Sequence, residues 1–277
     1  MLKELFEFRE TNRKWHLAVL AGICVGVPLL TGFFSHSLAD AKLASLAGLV
    51  ILYVHEERTR DQMITLMICS FGIMLSFTVG VIFSFHPYWS ALFLGLYAFG
   101  VHRALYLLGL HKPPGNFFFI MIASVAVCLP FEIDSIPHKI GLVGLGTMSS
   151  CILGFVYSLM TAKDHIIESA SAKTVKSRQS NVVESVTFGF FIGLGLLIGR
   201  LLELDNPYWI PSSSAAVMQG ISSKHIWQRS IQRVVGTFIG LIVTWLILRL
   251  HPTPLVICVS IVLFRSLLKC WLEGIMA

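Results

Sequence analysis

The stretch NPYWIPSSSAAVMQG, residues 206–220, breaks an apolar region with two prolines and three consecutive serines. A basic turn follows it, and then the glycine-containing stretch QRVVGTFIG, residues 232–240. A continuous membrane-spanning helix needs no such break, because only unbroken apolar sequence suits the hydrocarbon core. The stretch therefore indicates a short, interrupted helix within a chain of membrane helices.

The composition supports this interpretation. Of the 277 residues, 55% are hydrophobic and only 13% are charged, and the mean hydropathy is +0.77. A soluble domain of this size cannot bury so large an apolar fraction, so the chain is predicted to be a multi-pass membrane protein. Barrel strands, which alternate apolar and polar residues, are absent from the sequence. The predicted fold is therefore an all-α helical bundle.

Ten segments are candidate membrane helices, since a spanning helix needs about 17–25 mostly apolar residues. They are residues 15–34, 41–55, 63–85, 88–107, 116–131, 139–161, 182–203, 207–221, 230–250 and 253–271. The first 14 residues carry both charge signs and three large apolar side chains, and they are predicted to form a short interfacial helix.

The positive charges predict the orientation. With the N-terminus in the cytoplasm, 17 of the 21 lysines and arginines fall in cytoplasmic segments. This bias predicts that both termini are cytoplasmic. The net charge of +6 then belongs to short cytoplasmic loops, and we expect no nucleic-acid partner.

The chain contains a weak internal repeat, in which residues 21–107 align with residues 188–272. Gly22, Gly26 and Gly32 fall opposite Gly189, Gly193 and Gly199, while His86-Pro87 and Phe99 fall opposite His251-Pro252 and Phe264. The predicted organisation is a first six-helix unit at 1–162, a basic cytoplasmic linker at 163–181 and a second unit at 182–277. The two units are parallel, and the second is expected to be two helices short.

The second helix of each unit, at 41–53 and 207–220, is short. Short or broken helices at corresponding positions of two repeats indicate a transporter site. The free N–H groups and positive dipole at the start of such a helix favour an anion. We expect Ser212, Ser213 and Ser214 to add hydroxyls there, with Pro211 in the first turn. The alternative is that these serines only cap their own helix.

Other candidate residues also have two interpretations. Tyr208 and Trp209 either anchor the chain at the membrane surface or stack on a flat substrate. Arg229, Arg233 and Arg265 either line a pathway, where the guanidinium fork suits a carboxylate, or extend to the interface. Arg200 and Arg249 are expected to extend to the interface. Candidate groups for proton coupling are Glu184 and His102. Gly236, Thr237 and Gly240 form a small-residue face that predicts helix packing.

Several function classes find no support in the sequence. The six cysteines and the histidines have no metal-ligand spacing, so we expect no metal site. The chain has no hydrolase elbow, P-loop or dinucleotide motif. We therefore expect neither a catalytic residue nor a cofactor, and any active transport must use an ion gradient or a partner.

The residues around 206–240 resemble the core motif of the fusaric acid resistance and aromatic acid exporter family. That motif reads approximately Tyr-Trp-x-Pro-Leu-Thr, then Val-x-x-Gln, then Arg-x-x-x-Arg-x-x-Gly-Thr-x-x-Gly. The residues that resemble it are Pro207, Tyr208, Trp209, Pro211, Val217, Met218, Gln219, Arg229, Gln232, Arg233, Gly236, Thr237 and Gly240. This chain has Ser212-Ser213 where the family often has Leu-Thr, and its linker is short where many members carry a soluble domain.

The resemblance implies a multi-pass protein of the cell inner membrane that exports aromatic or amphipathic carboxylic acids with the proton gradient. The substrate site is expected at Tyr208, Trp209, Ser212, Ser213, Ser214, Gln219, Arg229, Arg233 and Arg265. Expected partners are the organic anion and the lipid bilayer, and candidate partners are a periplasmic adaptor protein and a second copy of the chain. Two alternatives remain, a passive anion channel and a non-transporting membrane scaffold.

Overall fold

The computed structural model describes residues 16–54, 59–107, 114–161, 178–218, 223–250, 253, 255–257 and 259–260. All regular elements within these residues are α-helices or short 3-10 helices, which confirms the predicted helical bundle. The α-helices are α1 His16–Phe34, α2 Leu38–Ala47, α3 Thr59–Ile82, α4 Pro87–Leu107, α5 Phe117–Ala126, α6 Ile136–Thr161, α7 Arg178–Leu201, α8 Trp209–Met218 and α9 Ser223–Arg249.

The lengths of these helices differ in a way that matters for the site. Five apolar helices are long enough to cross a membrane, and they correspond to α3, α4, α6, α7 and α9. In contrast, α2, α5 and α8 have ten residues each. Ten residues of α-helix extend about 15 Å, roughly half the thickness of the hydrocarbon core.

Helices α7 and α9 begin before the membrane spans predicted for them. Helix α7 begins at Arg178, while its candidate spanning segment starts at Val182 as predicted. Helix α9 begins at Ser223, and its candidate spanning segment starts at Ile226 instead of 230. The N-terminal segment 1–14 and most of the predicted span 253–271 lie outside the described residues.

Helix α2 is enclosed by its neighbours. A Cβ atom on Gly48, in the 3-10 turn Gly48–Tyr53 that continues α2, would lie 2.5 Å from the Cys24 carbonyl oxygen of α1. One turn earlier, a Cβ atom on Gly146 of α6 would overlap the Ala44 carbonyl of α2. Glycine at both positions therefore lets three helix backbones touch.

Helices α1 and α7 end in the same way. His36 and Glu203 both have positive φ values, of 56° and 49°. The Ser37 N–H donates to the Gly32 carbonyl at 2.9 Å, and the Leu204 N–H donates to the Gly199 carbonyl at 3.1 Å. Each is the 6→1 hydrogen bond of a Schellman turn, the one that spans more residues. The matched turns support the proposed repeat, since Gly32 and Gly199 are opposite each other in the alignment.

The two proposed units meet where α4 crosses α7. A Cβ atom on Gly95 would lie 2.9 Å from the Gly189 carbonyl oxygen, and one on Gly193 would lie 2.9 Å from the Ala91 carbonyl oxygen. These glycines let the two backbones approach closely, as small residues do in membrane helix pairs.

The bundle has two ends. The turn side is the end with the α1–α2 and α7–α8 turns, and the linker side is the end where α6 stops and α7 starts.

Helix α5 corrects the predicted span 116–131. The helix ends at Ala126, and the chain then turns through 3-10 hydrogen bonds from Cys128 to Val125 and from Leu129 to Ala126. The Arg200 Nη2 donates to the Val127 carbonyl at 3.0 Å. A cation beside the C-terminus of a helix stabilises its unpaired carbonyls. Arg200 therefore caps a half-helix and does not extend to the membrane surface as expected.

Candidate functional site

Helix α8 carries the serines that the sequence singled out, and one side of the helix is covered by α7. A Cβ atom on Gly195 would lie 3.2 Å from the Ile210 Cγ2, and one on Gly199 would lie 3.0 Å from the Pro207 Cβ. Pro211, Ser212 and Ala215 are buried, and α8 also packs against α5.

The three serines of α8 have different environments. Ser212 is 1% exposed, and its Oγ donates to the Tyr208 carbonyl at 2.7 Å. This bond within the helix fits the capping alternative for Ser212. Ser213 and Ser214 are half-buried, and within the described part of the chain their hydroxyls have no hydrogen-bond partner. Of the three, these two are therefore available to a ligand.

The expectation of free amides at the start of α8 was wrong. The Trp209 N–H donates to the Asn206 carbonyl and the Ile210 N–H to the Pro207 carbonyl, both at 3.3 Å. The Ser212 N–H donates to the Tyr208 carbonyl, and Pro211 has no N–H. The 3-10 turn thus satisfies the first amides internally. Anion binding at α8 must rely on hydroxyls and nearby cations.

Tyr208 and Trp209 lie side by side at the turn side of α8. Their ring centroids are 5.5 Å apart with an interplanar angle of 33°. Tyr208 is half-buried, whereas Trp209 is 59% exposed. A largely exposed Trp at a helix end is typical of an anchor at the membrane surface. The substrate-stacking role stays a prediction, with Tyr208 the better placed of the two.

Arg233 of α9 is a cation inside a spanning segment. It lies seven residues after Ile226, where the candidate spanning segment of α9 begins, which is about 10 Å along the helix. The side chain is half-buried, and its guanidinium carbon lies 6.0 Å from the centroid of the Phe117 ring. Phe117 opens α5, and both Phe117 and Met218, the last residue of α8, pack against the same buried cluster. Arg233 therefore lies near the linker-side end of α8.

The other predicted site residues are more scattered. Arg229 is exposed, one turn before Arg233. Gln219 and Arg265 lie outside the described residues. A Cβ atom on Gly236 or Gly240 would meet no described atom within 4 Å, and the Thr237 hydroxyl donates to the Arg233 carbonyl of its own helix. The described chain offers these three residues no helix to pack against, so their packing role stays a prediction.

The proton-coupling candidates lie where α4 crosses α7 on the linker side. His102 Nδ1 is 2.9 Å from the Ser185 Oγ, and the His102 ring lies 5.0 Å from the Phe188 ring centroid. Glu184 is next to Ser185 in sequence and is exposed. The two candidates therefore share one part of the contact between the proposed units, away from α8.

An apolar groove that was not predicted from the sequence lies between α4 and α7. The groove has a volume of about 510 Å³ and runs from Tyr88 to Phe99 on α4 and from Val186 to Leu197 on α7. Its only sequence signal was the spacing of Gly189 and Gly193, which we used for the repeat alignment alone. Nowhere in the described ranges do three His, Cys, Asp or Glu side chains lie close enough to hold a metal ion.

Known proteins confirm the resemblance. The family model described as "Fusaric acid resistance protein-like" matches residues 194–272. The uncharacterized membrane protein YvaC of Bacillus subtilis (strain 168) is 27% identical over 161 residues, which are 57% of this chain and 25% of that protein. The chain thus spans about a quarter of that relative. No solved structure matches the chain. The chain is a multi-pass membrane protein similar to the FUSC-like membrane family, which suggests a transporter kind of role.

Proposed function

We propose that the protein exports organic anions, namely aromatic or amphipathic carboxylic acids, across the cell inner membrane. The observation that carries this proposal is Arg233. A cation within a membrane-spanning segment is costly unless it meets a partner or a water-filled cavity. Within the described residues, its contact is an aromatic ring and not a carboxylate. An aromatic acid would supply a carboxylate to Arg233 and a ring to Phe117.

The remaining site residues fit a path along α8. The hydroxyls of Ser213 and Ser214 have no hydrogen-bond partner among the described residues. They can therefore rotate and donate a hydrogen bond to a carboxylate. Tyr208 would bound the path on the turn side. Arg229 would complete the proposed substrate site at its linker side, and Gln219 and Arg265 stay predicted members of that site.

Proton coupling is a second part of the proposal. Histidine is the side-chain type that most readily exchanges a proton near neutral pH. The contact of His102 with Ser185 joins the two proposed units. Protonation of His102, with Glu184 beside it, would change this contact and so link a proton to the relative position of α4 and α7. The His102→Asn variant should still bind benzoate but should lose the dependence of export on the proton gradient.

The test compares two arginines of α9 that both lie over aromatic rings. Arg233 lies over Phe117, and Arg249 lies 4.8 Å from the Trp245 centroid at the end of the helix. Cells that lack the protein should become sensitive to benzoate. Wild-type protein and Arg249→Gln should restore growth, Arg233→Lys should restore it in part, and Arg233→Gln should fail at equal expression.

Full rescue by Arg233→Gln would contradict the proposed role of Arg233. A steady benzoate current in a planar bilayer that does not respond to a proton gradient would show that the protein is a passive anion channel and not an exporter. A protein that neither binds benzoate nor changes the resistance of cells, but purifies with a stoichiometric membrane partner, would be a scaffold.

A further inference from the structure

The groove between α4 and α7 has the size and chemistry of a binding site for an apolar body. Its floor is the glycine contact of Gly95, Gly189 and Gly193, and Leu96 and Phe190 stand on its two walls. These wall residues are 57% and 62% exposed, so the groove opens away from the bundle. Its volume of about 510 Å³ lies within the range of small-molecule pockets.

The groove extends along about half of each helix. Eleven residues separate Tyr88 from Phe99, and eleven separate Val186 from Leu197, which is about 16 Å of helix. This length matches one leaflet of the hydrocarbon core. The groove therefore accepts one extended apolar chain or a ring system parallel to the helices.

Arg103 lies at the linker-side end of this groove. It follows Phe99 by four residues and Leu96 by seven, so all three lie on one face of α4. Helical side chains lean toward the helix N-terminus, so Arg103 leans back over the turn that carries Phe99. Its backbone is four residues from Leu107, the end of α4. The guanidinium therefore lies near the level of Phe99, at this end of the groove, where it can meet a carboxylate head.

The guanidinium of Arg103 lacks a full set of partners. The residue is half-buried, and its Nη1 atom is buried without a hydrogen bond in the part of the chain that the structure describes. An unsatisfied buried donor of a charged group is unfavourable, and a carboxylate satisfies two guanidinium donors at once. The charge of Arg103 and the apolar groove therefore complement one molecule with one negative end and one apolar body.

We propose that the α4–α7 groove binds a single-chain amphipathic carboxylate, with the carboxylate at Arg103 and the apolar chain extending toward Tyr88. Because the groove opens away from the bundle, the ligand enters sideways from the bilayer. The proposal rests on the proposed function only for the charge of the ligand. It adds a second site, distinct from α8, that collects amphipathic acids from the membrane.

The experiment uses dodecanoate with a diazirine at its last carbon and the full chain in nanodiscs of zwitterionic lipid. Illumination should attach the label near the turn-side end of the groove, on residues 88–92 of α4 or 194–197 of α7. At sub-saturating probe, Arg103→Gln should reduce this labelling about tenfold or more, and Arg103→Lys should keep a larger part of it. Leu96→Trp, which fills the groove, should abolish the labelling.

Matched controls separate the groove from general effects. Arg60→Gln removes an exposed arginine near the linker-side start of α3, and Leu145→Trp enlarges an exposed side chain of α6. Both should label as the wild type does. A dodecanol probe with the same diazirine should label the wild type and Arg103→Gln equally, which shows that the Arg103→Gln variant is folded and keeps its groove.

Three results would overturn the proposal. The first is that the label maps outside α4 and α7. The second is that Arg103→Gln leaves the labelling by dodecanoate unchanged. The third is that a small mole fraction of phosphatidylglycerol displaces dodecanoate completely. The last result would assign the groove to a phospholipid. Because labelling needs no transport, failure here leaves the benzoate rescue by Arg233 intact, and failure of that rescue leaves the labelling intact.

Discussion

Helices α2 and α8 have the same length and follow the same kind of turn, but their surroundings differ. Glycines of α6 and of its own 3-10 turn bring the backbones of α6 and α1 against α2. In α8, glycines of α7 cover one side, and Ser213 and Ser214 on the rest of the helix stay half-buried without described partners. A short helix in a membrane thus becomes either a core element or a candidate site according to how completely its neighbours enclose it.

The largest difference between α2 and α8 should appear when a methyl group is added to the glycines that pack against them. Gly146→Ala places its Cβ on the Ala44 carbonyl and should cost about 3 kcal/mol of folding free energy, the upper part of the overpacking range. Gly195→Ala, against α8, should cost about 1 kcal/mol because the Ile210 methyl can shift. Unfolding of purified protein by a denaturing detergent measures both.

The control lies on the same helix as Gly146. A Cβ atom on Gly141 would meet no described atom within 4 Å, so Gly141→Ala should be neutral or stabilise α6 by up to about 1 kcal/mol. Equal losses at Gly146 and Gly141 would mean that α2 is not enclosed as the structure has it.

A second effect should come from Gly32, the glycine near the end of α1. Gly32→Ala places a methyl on the Ala41 methyl, and we expect a loss of about 2 kcal/mol. The double variant Gly32→Ala with Ala41→Gly should recover more than half of this loss, since it exchanges the two side chains. Unfolding of the single and double variants gives the coupling energy, and additive losses would contradict the contact.

The serines of α8 should show opposite effects on stability and binding. Ser212→Ala removes a bond within the helix and should change folding by less than about 1 kcal/mol, with benzoate affinity unchanged. Ser213→Ala should leave folding unchanged but weaken benzoate binding about tenfold, the value of one hydrogen bond to a charged group. Titration calorimetry and unfolding of the same samples separate the two.

That pair of variants also has a clear opposite outcome. If Ser212→Ala weakened binding and Ser213→Ala did not, the buried serine of α8 would be the ligand group and the helix would have to open to bind. Ser45 of α2 is buried in the first unit. Its substitution, Ser45→Ala, is the matched control and should not affect benzoate binding.

The smallest effect should come from the matched turns. His36 and Glu203 adopt positive φ values that non-glycine residues disfavour. His36→Gly and Glu203→Gly should each stabilise the protein by about 0.5 kcal/mol, because glycine removes the steric cost but adds chain entropy to the unfolded state. Unlike signs at the two positions would argue against equivalent turns.

The sequence predicted most helices of this bundle because apolar length and charge are local properties. It failed at α5, where the apolar run continues from Phe117 to Leu129 without a charged residue or a proline. The helix stops at Ala126, and Arg200, 73 residues from Val127, caps its end. A tertiary contact of this kind leaves no mark on the residues near the helix end.

Close packing at glycine could be located only in part. Gly236 and Gly240 have the same spacing as Gly189 and Gly193, but only the second pair touches another described backbone. Spacing predicts that a helix has a small face and does not predict which helix meets it. Arg103 carried a usable signal, since it repeats the positions of Leu96 and Phe99 around α4.

The half-length helices also bear on how the protein enters the membrane during synthesis. A segment of ten residues is too short for the insertion machinery to retain by its own hydrophobicity. The tight turns at His36 and Glu203 join α2 to α1 and α8 to α7 as compact hairpins. Each hairpin can move into the bilayer as one unit, so the longer first helix carries the shorter one with it. Extending either turn by a few polar residues should therefore impair membrane integration before it affects the folded protein.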